Sequence, residues 1–114
     1  MSDCLFCKIV SGEIPSDIVY QDDNIIAFRD VQPQAPVHVL VLPKEHISTV
    51  MNITEESSNL IGYLHLKVKE IAEILGVAES GFRLVCNYGK DGDQIVPHIH
   101  FHLMGGRPLT WPPG

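Results

Sequence analysis

The sequence predicts an antiparallel α+β domain. Three observations carry this expectation: short β-branched and aromatic runs separated by turn formers, a single long stretch with helical apolar spacing set between them, and no repeat, linker or low-complexity segment. At 114 residues, with 45% hydrophobic and 19% charged side chains, residues 1–114 have the size and composition of one globular domain with one core.

Residues 4–11 (CLFCKIVS) predict one or two helical turns stopped by Gly12, after which Ile14-Pro15-Ser16 turns the chain. Ile18-Val19-Tyr20 and Ile25-Ile26-Ala27-Phe28 flank the polar Gln21-Asp22-Asp23-Asn24 and read as a hairpin. Pro33 and Pro36 interrupt the chain before His38-Val39-Leu40-Val41-Leu42, a strong strand ended by Pro43. Thr54-Glu55-Glu56 opens the long helix. Its stripe is Leu60, Leu64, Val68, Ala72 and Leu75, and Gly76 stops it. Phe82 to Tyr88 is an alternating strand, a loop follows at Gly89-Lys90-Asp91-Gly92-Asp93, and Ile95 to Met104 is the last strand, closed by Gly105-Gly106.

Charge and hydropathy exclude several classes of function. With 8 Lys+Arg against 14 Asp+Glu the formal charge is −6, so no basic surface is expected to track a phosphate backbone, and nucleic acid is not an expected partner. No apolar stretch approaches the roughly 20 residues that span a bilayer, and the start, Met-Ser-Asp-Cys, lacks a basic segment followed by an apolar one. A soluble, cytoplasmic protein without a membrane partner is expected. Three cysteines, an odd number, argue against a disulfide framework. Cys4 and Cys7 form a C-x-x-C pair, which in a reducing compartment reads as a metal or redox pair; a thioredoxin-like reading would need a βαβ context that the element order lacks. Cys86, in the apolar pattern Phe82, Leu84, Cys86, reads as a buried structural thiol.

Three of the six histidines fall in His98-Ile99-His100-Phe101-His102. On a strand, residues i, i+2 and i+4 share a face, which would line up three imidazoles roughly 6 to 7 Å apart with Ile99 and Phe101 turned to the core. Such a row suits either metal binding or phosphate chemistry, in which a neutral imidazole attacks phosphorus and neighbouring N–H donors stabilise the developing charge.

The run from His98 to Met104 resembles the motif His-φ-His-φ-His-φ-φ of the histidine triad (HIT) nucleotide hydrolases and transferases, and the resemblance covers essentially the whole chain. Phe28-Arg29-Asp30, Ala35 to Val41, Pro43-Lys44-Glu45-His46, Asn87, Gly92-Asp93-Gln94 and Gly105-Gly106-Arg107 stand in the family's order, and Trp111-Pro112-Pro113-Gly114 is similar to the ending of the Hint branch, the nucleoside phosphoramidases. The resemblance implies a HIT-like fold: an antiparallel sheet of about five strands with one long helix and a short N-terminal helix. It implies an enzyme that binds a purine nucleotide and cleaves the P–N bond of nucleoside 5′-phosphoramidates through a nucleotidyl-histidine intermediate. His100 would be the nucleophile, His102 would contact the phosphate oxygens, and His38 would support the triad. Asp30 would accept the ribose hydroxyls, with Phe6, Ile9, Ile26 and Phe28 forming the slot for the base and Asn87 and Gln94 lying near the phosphate and leaving group. Ile95 departs from the pattern, standing where a serine hydroxyl is expected beside the leaving group. The resemblance also implies a homodimer and a structural Zn2+ held by Cys4, Cys7, His46 and His98, which would leave His100 and His102 to carry the chemistry. Two alternatives stay open at this point: a dinucleoside polyphosphate hydrolase like the Fhit branch, and a non-catalytic, zinc-bound module that senses nucleotide. His65 matches nothing in the pattern and is expected at the surface or an interface.

Overall fold

The computed structural model describes residues 3–114. Its elements are α1 (Leu5–Ser11), β1 (Ile18–Gln21), β2 (Ile25–Arg29), β3 (Val37–Pro43), α2 (Glu55–Ile74), β4 (Phe82–Val85) and β5 (Phe101–Gly105), with a 3-10 turn at Val50–Asn52. The strands form one sheet in the order β1-β2-β3-β5-β4, and every neighbouring pair is antiparallel. The expected α+β class, with five strands, one long helix and one short helix, is therefore the observed one.

Alternation along the strands divides the molecule into two packed layers. Ile25, Ala27, Val39, Val41, Phe101 and Leu103 face α2 and join Leu64, Val68, Ile71 and Ala72 in the larger core. Ile26, Phe28, Leu40 and Leu42 face the other way and pack with Cys4, Phe6 and Ile9 of the N-terminal segment. The second layer is the one that positions the site. Helix α2 begins with a reciprocal capping box in which Thr54 and Ser57 satisfy each other's backbone N–H groups, and Glu55 and Glu56 lie at the positive end of its dipole. Helix α1 is capped by Cys4, whose sulfur accepts from the Cys7 N–H, and it ends at Gly12 in the left-handed conformation (φ 86°).

Two strands are shorter than their apolar patterns predict. β4 stops at Val85 rather than Tyr88 because its partner β5 starts at Phe101 and the last paired residues are Val85 and His102. β5 starts at Phe101 rather than Ile95, so His98 and His100 precede the strand and only His102 lies within it. The reason is the neighbour. β3 ends at Pro43, and residues 98–99 bond instead to that last residue and the loop beyond it, His98 Nε2 to the Pro43 carbonyl (2.8 Å) and the Ile99 N–H to the Ile47 carbonyl. Alternation nevertheless persists through the irregular segment, with Ile99 in the α2-side core and His98 packed against Phe6 on the opposite side.

One staple holds the hairpin to α2. Asp22 Oδ1 accepts from the backbone N–H groups of Asn24 and Ile25, and Oδ2 accepts from the hydroxyls of Tyr20 (2.9 Å) and Tyr63 (2.6 Å). Burial alone would raise the Asp22 pKa, but the bonds from Tyr63, Asn24, Ile25 and Tyr20 outweigh it and hold the carboxyl at about 2. Because the folded pKa lies below that of the unfolded chain, this stabilisation is complete above pH 4 and fades as pH falls toward 2. Asp22→Ala should cost about 2 kcal/mol at pH 7, the scale of charge-assisted bonds discounted for partial exposure. Denaturant titrations of both proteins between pH 7 and pH 2.5 check this. A gap that does not narrow below pH 4 would show that the carboxylate charge is not what stabilises.

Candidate active site and metal centre

The start of β3 and the run into β5 bring His38, His98, His100 and His102 together, their rings linked directly or through Phe6. The centroids of His38 and His102 are 5.2 Å apart and those of His102 and His100 are 5.1 Å apart, while Phe6 of α1 packs edge-on against His100 at 4.9 Å and His98 at 6.0 Å. His38, His98 and His100 are buried. Burial is the main cause that holds all four imidazoles below their ordinary pKa, His102 as low as about 4, so they are neutral at pH 7.

A neutral imidazole has one N–H and one lone pair, and the partners assign which nitrogen carries which. His100 Nδ1 lies 2.7 Å from the His98 carbonyl and must donate to it, which leaves Nε2 as a lone pair. His38 Nδ1 accepts from the Gln34 N–H at 3.0 Å, so its proton is on Nε2, directed at His102 Nδ1 (2.9 Å) and also 3.4 Å from Asp30 Oδ2. His102 consequently accepts at Nδ1 and carries its proton on Nε2. The site therefore pairs a nucleophilic nitrogen on His100 with an N–H donor on His102, a combination suited to attack on phosphorus.

A second cluster lies on the other side of His98. His98 donates from Nε2 to the Pro43 carbonyl, which turns the Nδ1 lone pair to Cys4 Sγ (3.5 Å) and Cys7 Sγ (3.6 Å); His46 Nδ1 is 3.3 Å from Cys7 Sγ, and its Nε2 is 3.2 Å from Ser48 Oγ. These four ligand atoms all lie within 4.8 Å of one another. Tetrahedral zinc with ligands at 2.0 to 2.3 Å has ligand–ligand edges of roughly 3.3 to 3.8 Å, which the sulfur–nitrogen separations match. Each imidazole also has the outer hydrogen-bond partner expected of a metal ligand. Asp30, His38 and His102 are similarly close. There, however, the 2.9 Å between nitrogens is a hydrogen-bond length, and the Gln34 N–H bound to Nδ1 keeps a proton on the His38 nitrogen that a cation would need. This second group is a hydrogen-bonded chain.

The HIT domain model matches residues 11–109. The chain belongs to the HIT family. It is 54% identical over 112 residues to an uncharacterized HIT-like protein of Synechococcus elongatus, covering 98% of this chain and 97% of that protein. It is 50% identical over 105 residues to the purine nucleoside phosphoramidase of Escherichia coli K12, covering 92% of this chain and 88% of that enzyme. Among solved structures it is similar to a HIT family hydrolase from Legionella pneumophila, at TM-score 0.95 and 50% identity, covering 98% of this chain and 100% of that one.

Within this HIT fold, the residues expected at the site mostly converge. Phe6, Ile9, Ile26 and Phe28 are all buried in one cluster, with Phe6 edge-on to Phe28 at 5.7 Å. Asp30 faces His38 with Oδ2 at 3.4 Å, while its Oδ1 accepts from the Gln32 N–H at 2.8 Å, so one carboxylate serves both the turn and the His38 contact. Gln94 spends its amide nitrogen on the carbonyls of Ser48 (2.9 Å) and Val96 (3.0 Å), tying together the two loops that carry His46 and His98. Asn87 is half-buried just beyond β4, and Ile95 is 79% exposed. Cys86 is only partly buried against the α2-side core, and burial raises its thiol pKa. His65 is exposed, with its ring edge-on to Phe101. Sequence reasoning missed Gln34, Pro43 and Ser48, whose contributions come from backbone groups or a single hydroxyl. Such groups leave no residue-type signal.

Proposed function

We propose that residues 1–114 act as a single HIT domain that hydrolyses purine nucleoside 5′-phosphoramidates. The observation that carries this reading is the tautomer assignment, which leaves an unprotonated His100 Nε2 beside a His102 N–H. The named activity of the 50% identical Escherichia coli enzyme supports it. In this reading the base lies against Phe6, Ile9, Ile26 and Phe28, and Asp30 accepts the ribose hydroxyls with the lone pairs that Gln32 and His38 leave available. His100 Nε2 attacks phosphorus while the P–N bond breaks. The amine departs with that electron pair and takes a proton from water, because Ile95 offers no donor. His102 Nε2–H stabilises the charge on the phosphoryl oxygens. Water then attacks phosphorus, the histidine–phosphorus bond returns its pair to Nε2, and nucleoside monophosphate leaves as the water proton passes to solvent. Asn87 and Gln94 border the phosphate and leaving group.

Cys4, Cys7, His46 and His98 would hold Zn2+ as a closed, four-ligand structural site, and the protein would work as a homodimer in the cytoplasm. No helix among the described residues is long and apolar enough to cross a membrane. The deciding experiment compares turnover of a fluorogenic adenosine phosphoramidate with that of a dinucleoside polyphosphate. The phosphoramidate should be preferred by at least about tenfold in kcat/KM, a difference of roughly 1.4 kcal/mol in transition-state binding. The reverse preference would favour the polyphosphate hydrolase, and no turnover of either would favour the sensing module.

A further inference from the structure

We infer that Arg107 is a positioning residue that sets the proton arrangement of the His38–His102 pair through the main chain of Gln34. The inference rests on the phosphoramidase reading for its kinetic consequence but not for its structural one. Arg107 follows β5, and its Nη2 donates to the Gln34 carbonyl at 2.9 Å, joining residues 73 positions apart. The N–H of the same Gln34 is the donor that assigns the His38 tautomer. Gln34 is thus held on its carbonyl by the tail and uses its amide on the imidazole.

A second contact ties the same two segments. Gly106 has φ +88°, and a Cβ built there would lie 3.0 Å from Pro36 Cβ, so the tail backbone runs directly against the loop before β3. That loop is otherwise lightly held. Residues Val31 to Gln34 are exposed, and the loop's remaining bonds are local: Asp30 N–H to the His38 carbonyl, Gln32 N–H to Asp30, and Gln34 Nε2 to the Gln32 carbonyl.

The consequence for the site follows from counting protons. If the Gln34 N–H withdraws, His38 can carry its proton on Nδ1 and present a lone pair from Nε2. That lone pair faces His102 Nδ1, which must then become the donor, and His102 Nε2 loses the proton it offers to a phosphoryl oxygen. An exposed arginine thereby biases which nitrogen of His102 is the donor, in the same direction as the Asp30 carboxylate 3.4 Å from His38 Nε2. The interaction strengthens with developing charge, so its loss should fall on kcat more than on KM.

Long-range nitrogen–proton correlation spectra of uniformly labelled protein at neutral pH read the tautomers directly. The wild type should show protonated Nε2 and unprotonated Nδ1 at both His38 and His102. In Arg107→Ala both rings should shift to a mixture of tautomers, with kcat for the phosphoramidate down about tenfold and KM within about twofold, the scale of one lost charge-assisted bond. Arg107→Lys, which keeps one donor, should restore the wild-type spectrum and most of kcat. Amide spectra report whether the alanine variant folds, and Arg107→Met, which keeps the apolar stem without a donor, replaces it if it does not. Imidazole spectra of the variant that match the wild type would overturn the inference whether or not the rate changed. A wild type without phosphoramidate turnover would refute the functional reading alone, since the spectra would still decide the link from Arg107 to His38.

Discussion

Replacing His100 by alanine or asparagine is expected to remove nucleoside phosphoramidate turnover by at least about 10³-fold, the scale seen when a covalent nucleophile is deleted. Nucleoside monophosphate should still bind within a few-fold of wild type. The two effects separate because they rest on different groups. In the proposed function affinity comes from the apolar cluster of Phe6, Ile9, Ile26 and Phe28 and from Asp30, none of which is altered, whereas the covalent step needs the Nε2 lone pair. Asparagine is the more informative substitution. Its amide can still donate to the His98 carbonyl, which keeps the buried donor bond and leaves a smaller cavity than alanine. Single-turnover kinetics with the fluorogenic phosphoramidate, beside a binding titration with the monophosphate, give both numbers. Turnover in either variant within tenfold of wild type would take His100 out of the nucleophile role.

Loading and removal of the metal should act first on stability. Elemental analysis of protein purified without chelator is expected to show one zinc per chain, held by Cys4, Cys7, His46 and His98. Joining Cys7 to His98 closes a loop of 91 residues. By analogy with a covalent cross-link, closure of that length is worth about 4 kcal/mol, or roughly 15 °C or more in Tm for a domain of this size. Catalysis should respond less, by under about tenfold in kcat below the melting range, because a closed four-ligand site leaves no position for substrate. Some effect is expected. The His98 carbonyl orients His100, and the helix that carries Phe6 onto the His100 ring is capped by Cys4 and contains Cys7. Chelation at mildly acidic pH followed by calorimetry tests this, with Cys7→Ser as an independent route to the metal-free form. No stoichiometric zinc, or a Tm unchanged by its removal, would exclude a structural metal.

Much of the fold was legible in the residues. The capping signal at Thr54, the spacing of Leu64, Val68 and Ala72, the turn formers around Asp22 and the apolar run from His38 to Leu42 each point to one local conformation, and each element formed where expected. Ile71 belongs to the same buried face, although the five-residue stripe read from sequence omitted it. Strand ends were the weak point. Apolar alternation continues through Tyr88 and back to Ile95, but ladder hydrogen bonds need a partner, and the partners stop at Val85 and Phe101.

For the site, the sequence by itself determined which side chains are present and on which side of the sheet they fall. The alternation of His98, Ile99, His100, Phe101 and His102 turns imidazoles to one layer and apolar groups to the other even where regular strand geometry is lost. Only the tertiary structure decided which nitrogen of each imidazole holds the proton, because the deciding partners are the carbonyls of His98 and Pro43 and the N–H of Gln34. Every residue offers a carbonyl and every residue but proline an N–H, so residue identity is silent about them. Their positions are set by how the loop before β3, the end of β3 and the segment before β5 pack together, a long-range matter that no local pattern encodes.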